Sequence, residues 1–301
     1  MRALADQIRR FARADANVLI AGETGTGKDA VARELHARGP RAKRPFVTID
    51  CPSLSPSLID SEIFGHERGA FTDALTARAG RFELAGNGTV YLDAVLELSV
   101  DAQGKLLRIV EEKRVERLGG AASIPVGARV VASAGAHIED AVRAGEFRRD
   151  LYHRLRVLPL FIPPLRERLE DIPALVGYFS RRAAAARGRS APKVSRDAAE
   201  ALKNYAWPGN VRQLRHAIER ACQVARGGTI TLDHLSQEIL DASAALEPET
   251  TRAERPTLDE VERRYIAATL FHAQRNEVEA ARILGITRKA LREKRKRFGL
   301  E

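Results

Sequence analysis

Gly22-Glu23-Thr24-Gly25-Thr26-Gly27-Lys28 is the stretch whose residue types and spacing carry the plainest chemistry. It fits the pattern G-x-x-x-x-G-K. The apolar run Val18-Leu19-Ile20-Ala21 before it and the helical periodicity from Asp29 to Arg38 after it supply the strand and helix that the pattern requires. Glycines let backbone N–H groups curl around phosphate oxygens, the helix start adds positive potential, and Lys28 reaches the β- and γ-phosphates. The ligand implied is ATP with Mg2+. Asp29 stands where a Ser or Thr hydroxyl ordinarily holds that magnesium. A second carboxylate must then come from across the site, and Asp93, after the strand Thr89-Val90-Tyr91-Leu92, supplies it as catalytic and metal-binding acid. Read alone, Asp93 also suits a helix N-cap. Ala94 follows, where hydrolytic enzymes of this broad kind carry a glutamate that orients the attacking water.

A different chemistry sits near the C-terminus. Ala280-Ala281-Arg282-Ile283-Leu284-Gly285-Ile286-Thr287-Arg288 reads as a helix, a turn with Gly, and a second helix capped by Thr287, which is the helix-turn-helix plan. From Arg282 to Arg297 eight basic residues face one acid, Glu293, a local net of +7 within a chain of 301 residues and net charge +10. Double-stranded DNA is the partner this implies. Thr287, Arg288, Lys289 and Arg292 are placed to meet base edges or nearby phosphates, and Lys294, Arg295, Lys296 and Arg297 to meet the backbone.

Strands alternating with helices position the first site. Pro45–Ile49, Thr89–Leu92 and Ala128–Ala132 read as further strands, with a helix around Gln103 to Glu112. This alternation predicts an α/β fold, a parallel sheet with helices on both faces. After Ile162-Pro163-Pro164 the strand signal stops, and Asp171–Arg187, Ser195–Tyr205 and Asn210–Arg226 read as helices of a small lid subdomain. The expected division is 1–168 for the α/β part, 169–240 for the lid, 241–256 for a linker and 257–301 for an all-α DNA-binding domain. Two cysteines, Cys51 and Cys222, exclude a disulfide framework and suit a reducing cytosol. No apolar run approaches the ~18 residues that cross a bilayer, so the expected location is cytoplasmic, with no membrane partner.

With these motifs placed, the chain resembles the AAA+ ATPases that activate sigma-54 RNA polymerase, the bacterial enhancer-binding proteins. The likeness rests on the phosphate loop, on Glu62–Thr72, on Phe147–Leu155, on Pro163-Pro164-Leu165-Arg166-Glu167-Arg168 and on Trp207-Pro208-Gly209-Asn210-Val211-Arg212-Gln213-Leu214. The C-terminal segment resembles the Fis-type domain that ends many of them. The resemblance implies that Gly69-Ala70-Phe71-Thr72-Asp73-Ala74 is the loop that contacts the sigma factor, written G-A-F-T-G-A in the family. It implies that Arg148 and Arg154 reach into a neighbouring subunit's nucleotide site and that Arg212 senses nucleotide from the lid. Arg148 and Arg154 are also spaced to pair locally with acids such as Glu146 and Asp150.

Departures from the family pattern cluster in the parts that hydrolyse and couple. Ala94 replaces the glutamate, Asp50 a usual Asn, Leu96 a usual Gly, Ala134-Gly135 a usual Thr-Asn, and Asp73 the second glycine of the sigma loop. The expectation is an ATP-binding, sequence-specific DNA-binding regulator with weak or absent hydrolysis, assembling as a homo-oligomer from dimer to hexamer ring and working with RNA polymerase holoenzyme and sigma-54. Two alternatives stand beside it: an active ATPase that opens sigma-54 promoters, with an acid such as Glu97 substituting, and a repressor whose AAA+ part only oligomerises. The chain opens close to the ATPase part, which implies control by a partner or by expression level, or a longer native chain.

Overall fold

The computed structural model describes residues 2–53, 56–72, 74–225, 227–245, 259, 262–263, 265–266, 269–270, 273 and 277–299. The chain divides into two units, Met1–Ala245 and Leu246–Glu301.

Five parallel strands frame the first unit: β1 (Val18–Gly22), β2 (Phe46–Asp50), β3 (Thr89–Asp93), β4 (Arg129–Ala134) and β5 (Leu158–Ile162), in the order β2-β3-β4-β1-β5. The period of two along a strand divides their side chains between two cores. Val18, Ile20, Tyr91, Val131 and Leu160 pack with Leu4, Ile8 and Ala12 of helix α1 (Arg2–Arg13) and with Ala32 and Leu35 of α2 (Lys28–Ala37). Leu19, Val90, Leu92, Val130 and Ala132 face the other way, against α3 (Pro56–Phe64), α4 (Arg81–Ala85), α5 (Val100–Glu112), α6 (Ile138–Ala144) and α7 (Arg149–Leu155). All six residues of β4 are buried, as expected where helices cover both faces of a parallel sheet. The α/β class with helices on both faces is thus the observed one. The C-terminal ends of β1, β2 and β3 bring Gly22, Asp50 and Asp93 to one edge of the sheet, with Asp50 directly across from Asp93.

β5 was not assigned from sequence. Among the described residues it pairs only with β1, at the sheet edge, where Pro159 is tolerated because no neighbour needs its missing N–H.

The lid is built from α8 (Ile172–Ala185), α9 (Arg196–Asn204), α10 (Asn210–Val224) and α11 (Gln237–Ala245) around Trp207. Trp207 is fully buried, donates its indole N–H to Leu202 O at 2.8 Å, and meets Tyr205 edge-on at 5.0 Å between ring centroids. α11 runs to Ala245, so the stretch expected to be a linker from 241 begins as helix; its apolar Ile239 and Leu240 dock on the lid core and carry the helix on. Residues 246–256 of that stretch lie outside the described residues.

In the second unit, α12 (Glu277–Ile283), a turn with Gly285 at φ +64°, and α13 (Arg288–Phe298) form the expected helix-turn-helix. The Thr287 side chain accepts a hydrogen bond from Ala290 N at 3.2 Å, the cap anticipated from sequence. Ala280, Ala281 and Leu291 share a small core with Ile266 and Leu270. Among the described residues no helix is long and apolar enough to cross a membrane.

Because the lid core closes on Trp207, Trp207→Ala is expected to cost about 3–5 kcal/mol of stability. Urea unfolding followed by circular dichroism checks this, and an unchanged midpoint would contradict the packing described.

Candidate nucleotide site and nucleic-acid interface

The phosphate loop turns at Gly25 (φ +80°) and Gly27 (φ +102°), both in the left-handed region that favours glycine. Gly25 has a second constraint, since a Cβ there would lie 2.3 Å from Gly209 O in the lid. Lys28 Nζ donates to Gly22 O at 2.8 Å and Glu23 O at 3.0 Å, holding the loop that it would share with phosphate. Burial lowers the pKa of Lys28; Asp93 opposes that shift and Arg212 adds to it. These two charges therefore act on the lysine that sequence placed at the phosphates. Asp29 occupies the first turn of α2 and pairs with Arg33 at 3.1 Å.

Asp93 is fixed by residues that sequence reading did not select. Tyr91 Oη donates to its Oδ1 at 2.9 Å, Ser133 Oγ donates to the same oxygen, and Ala94 N donates to Ser133 Oγ at 2.9 Å. Cys51, buried beside this edge, has its thiol pushed up to about 12 by desolvation and by the charges of Asp93, Asp50 and Glu97.

The lid closes on the loop through a short set of polar contacts. Arg166 grips the Glu23 carboxylate with both Nη atoms, at 2.6 and 2.9 Å. Asn210, fully buried at φ +51°, donates to Glu23 Oε2 and Thr24 O, each at 3.1 Å, while its Oδ1 accepts from Leu165 N at 2.7 Å. Arg212 N donates to Gly25 O at 3.1 Å, and Arg168 Nη2 to Thr26 O at 2.9 Å. Arg166 and Asn210 together hold the Glu23 carboxyl down to about 2. Of this set, only Glu23, Thr24, Gly25, Thr26 and Arg212 were selected from sequence.

Arg148 caps the start of α7 and Arg154 lies in its last turn, both on the surface. Arg148 pairs with Asp150 at 2.7 Å, one of the local partners considered from sequence, and Arg154 with Glu111 at 2.7 Å. Among the described residues, no hydrogen bond or ion pair joins either to the phosphate loop.

The segment that includes Gly69, Ala70, Phe71, Thr72 and Ala74 forms a closed turn: Gly69 N donates to Ala74 O at 2.8 Å and Ala74 N to Phe71 O at 3.0 Å. Phe71 is 39% exposed with its ring 5.0 Å from that of His66, and the following Leu75 is 80% exposed. Asp73 lies outside the described residues.

On α13, Arg288, Lys289 and Lys296 are exposed and make no ion pair among the described residues. Arg292 and Arg295 instead share Glu277, and Lys294 reaches Glu262. Charges counted together in the sequence are thus divided between an open set and a set already paired.

Family models match along almost the whole chain: a sigma-54 interaction domain over residues 1–161, an AAA+ ATPase lid domain over 166–252, and a bacterial regulatory protein, Fis family, over 257–298. The chain belongs to the sigma-54 enhancer-binding protein family. It is 43% identical over 289 residues to the Nif-specific regulatory protein of Klebsiella pneumoniae, covering 95% of this chain and 55% of that one. It is 44% identical over 291 residues to the transcriptional regulatory protein ZraR of Klebsiella oxytoca, covering 97% and 66%. The chain thus spans about half the length of the Nif-specific protein. Among solved structures, NtrX from Brucella abortus in complex with ADP matches with a TM-score of 0.75 and 34% identity, over 99% of this chain and 68% of that one.

In this enhancer-binding chain, Asp50, Ala94 and Gly135 lie at the C-terminal ends of β2, β3 and β4. Ala94 adopts φ +55°, ψ +58°, a left-handed conformation that costs a non-glycine residue about 1 kcal/mol. Its methyl offers no acceptor to a water. A Cβ built on Gly135 meets no atom within 4 Å, so packing does not require the side chain to be absent there.

The depressed carboxyl of Glu23 makes its ion pair a pH-dependent contribution, present above the unfolded value of about 4.5 and lost as pH falls toward 2. Acid titration of thermal stability should therefore show a smaller loss between those values in Glu23→Gln than in the wild type. Equal losses would contradict the assignment.

Proposed function

We propose that this protein is an ATP-binding, sequence-specific DNA-binding transcription regulator of the sigma-54 enhancer-binding type that hydrolyses ATP slowly or not at all. The observation that carries the reading is the contrast at the end of β3: Asp93 is held by Tyr91 and Ser133, while the next residue is Ala94. Losing a general base removes roughly 10²–10⁴-fold in rate. The matched NtrX structures include complexes with ADP and with ATP, which supports nucleotide binding at the corresponding loop here.

Lys28 and the amides of Gly22–Gly27 bind the β- and γ-phosphates, and Arg212 reports their presence to the lid. Asp93 would hold Mg2+. The donor set fits this ion: Asp93 is a carboxylate, and both of its side-chain donors land on one of its oxygens. Mg2+ usually takes one or two carboxylates and completes its shell with phosphate oxygens and water. When bound it neutralises charge on those oxygens. Arg148 and Arg154, whose surface pairs are local, serve a neighbouring subunit of a homo-oligomer, from dimer to hexamer ring. Residues 1–168, 169–240 and 257–301 then divide the work into binding, sensing and DNA recognition. Thr287, Arg288 and Lys289 read the duplex and Lys296 holds its backbone; Arg292 joins the first set, and Lys294, Arg295 and Arg297 the second, by exchanging their acid partners for phosphate. The loop Gly69–Ala74 faces sigma-54 polymerase, with Asp73 weakening that engagement. The cytoplasm is the compartment in which these partners meet.

A second reading, an active ATPase, has one observation in its favour: Asp50 lies directly across from Asp93, and Glu97 acts with both on the Cys51 thiol.

Restoring the glutamate separates the two. Ala94→Glu is expected to raise phosphate release by about 10²-fold or more, and Ala94→Glu with Asp73→Gly to confer sigma-54-dependent transcription in a purified system. Robust turnover in the wild type that disappears in Lys28→Ala, or transcription already present before the changes, would contradict the proposal.

A further inference from the structure

The lid carries an acid-free basic stretch that nucleotide binding does not use. Between Asp171 and Asp197 the chain has no acidic residue and six basic ones: Arg181, Arg182, Arg187, Arg189, Lys193 and Arg196. All six are exposed. The reason lies in α8, which turns Ile172, Val176, Phe179 and Ala183 into the lid core and leaves Arg181 and Arg182 outside. The chain then crosses an open turn at Gly188 (φ +62°, no atom within 4 Å of a built Cβ) and returns along Ile230. Lys193 O accepts from Ile230 N at 2.8 Å, and Ser195 N donates to Ile230 O at 2.8 Å, so the return is tied to the lid.

Ion pairing is sparse along this stretch. Among the described residues it shares that with Arg10, Arg44, Arg68 and Arg149, whereas Arg33, Arg38, Arg41 and Arg117 have acid partners in Asp29, Glu34, Asp15 and Glu83. Among the described residues, Arg181, Arg182, Arg189 and Lys193 make no ion pair, while Arg196 has Glu200 and Arg187 donates to Ala183 O. Glu219 of α10 lines a recess with Arg182 and Arg187, and its own ion pair is with Arg215 at 3.8 Å.

We propose that this exposed basic stretch of the lid is a second contact for double-stranded DNA, made to the phosphate backbone and independent of sequence. The inference rests on the proposed DNA binding of the C-terminal unit, which brings a duplex to the same molecule. A duplex presents closely spaced phosphates to unpaired cations, and neutralising each releases condensed counterions. Exposed arginines lose little hydration in making such contacts. Two basic surfaces on one chain also strengthen each other, because the first contact raises the local concentration of duplex at the second.

The test is binding of the full chain to a fluorescent duplex that lacks a recognition site, followed by anisotropy across a salt titration. Replacing Arg181, Arg182, Arg189 and Lys193 together by Gln should reduce the slope of log affinity against log salt by about 3–4, near 0.9 per phosphate contact. Replacing the three arginines by Lys instead should preserve the slope, since the charge is kept. If the glutamine variant melts early, Arg189→Glu alone, in the open turn, must still lower the slope. A wild-type slope in these charge-removed variants overturns the proposal and leaves the face to an acidic protein. Neutralising Arg288, Lys289 and Lys296 tests the other reading separately. Undiminished binding there would overturn DNA recognition by the C-terminal unit, while a residual component lost with the lid substitutions supports the lid contact.

Discussion

The bonds of one buried asparagine hold the nucleotide site together. The glycines of the loop offer no side chains with which to pack, so besides the bonds of its own Lys28 and Thr26 its shape is set by hydrogen bonds from outside it. Asn210 supplies them, joining Glu23, Thr24 O and Leu165 N from a left-handed position at the start of α10. Glu23 in turn receives Arg166, and Gly25 lacks the Cβ that would strike Gly209 O. Any movement of the lid is therefore felt at the loop, and any change of occupancy in the loop is felt by the lid. This coupling needs no hydrolysis.

At the opposite side of the site, the contacts that set Asp93 are equally complete. Tyr91 and Ser133 converge on one oxygen, and Ser133 also receives the amide of Ala94. The contacts of Asp93 are thus set, while Ala94 beside it offers no acceptor. Under the proposed function, the lid contacts, a latch on the loop, would report nucleotide and the Ala94 edge would leave it unspent.

What the sequence made legible follows the range of the forces involved. The phosphate loop, the strand ending in Asp93 and the cap at Thr287 depend on neighbours a few residues away, and each was readable. The latch was not, because Glu23 and Asn210 are 187 positions apart and meet only after the lid docks. Pro159 hid the edge strand β5, since an edge position is a property of the assembled sheet. The charge of α13 was read as one set, yet Glu277 and Glu262 claim Arg292, Arg295 and Lys294 once the helices pack. Fold class and motif positions were therefore plain, whereas the pairing of charges required the tertiary structure.

The central claim is that ATP is held and not spent. It is tested most directly by incubating the purified chain with Mg2+ and a stoichiometric amount of ATP for hours, quenching in acid, and identifying the bound nucleotide by chromatography. The account predicts that the protein-bound nucleotide is recovered as ATP. Recovery as ADP, at a rate that Lys28→Ala abolishes, would contradict it.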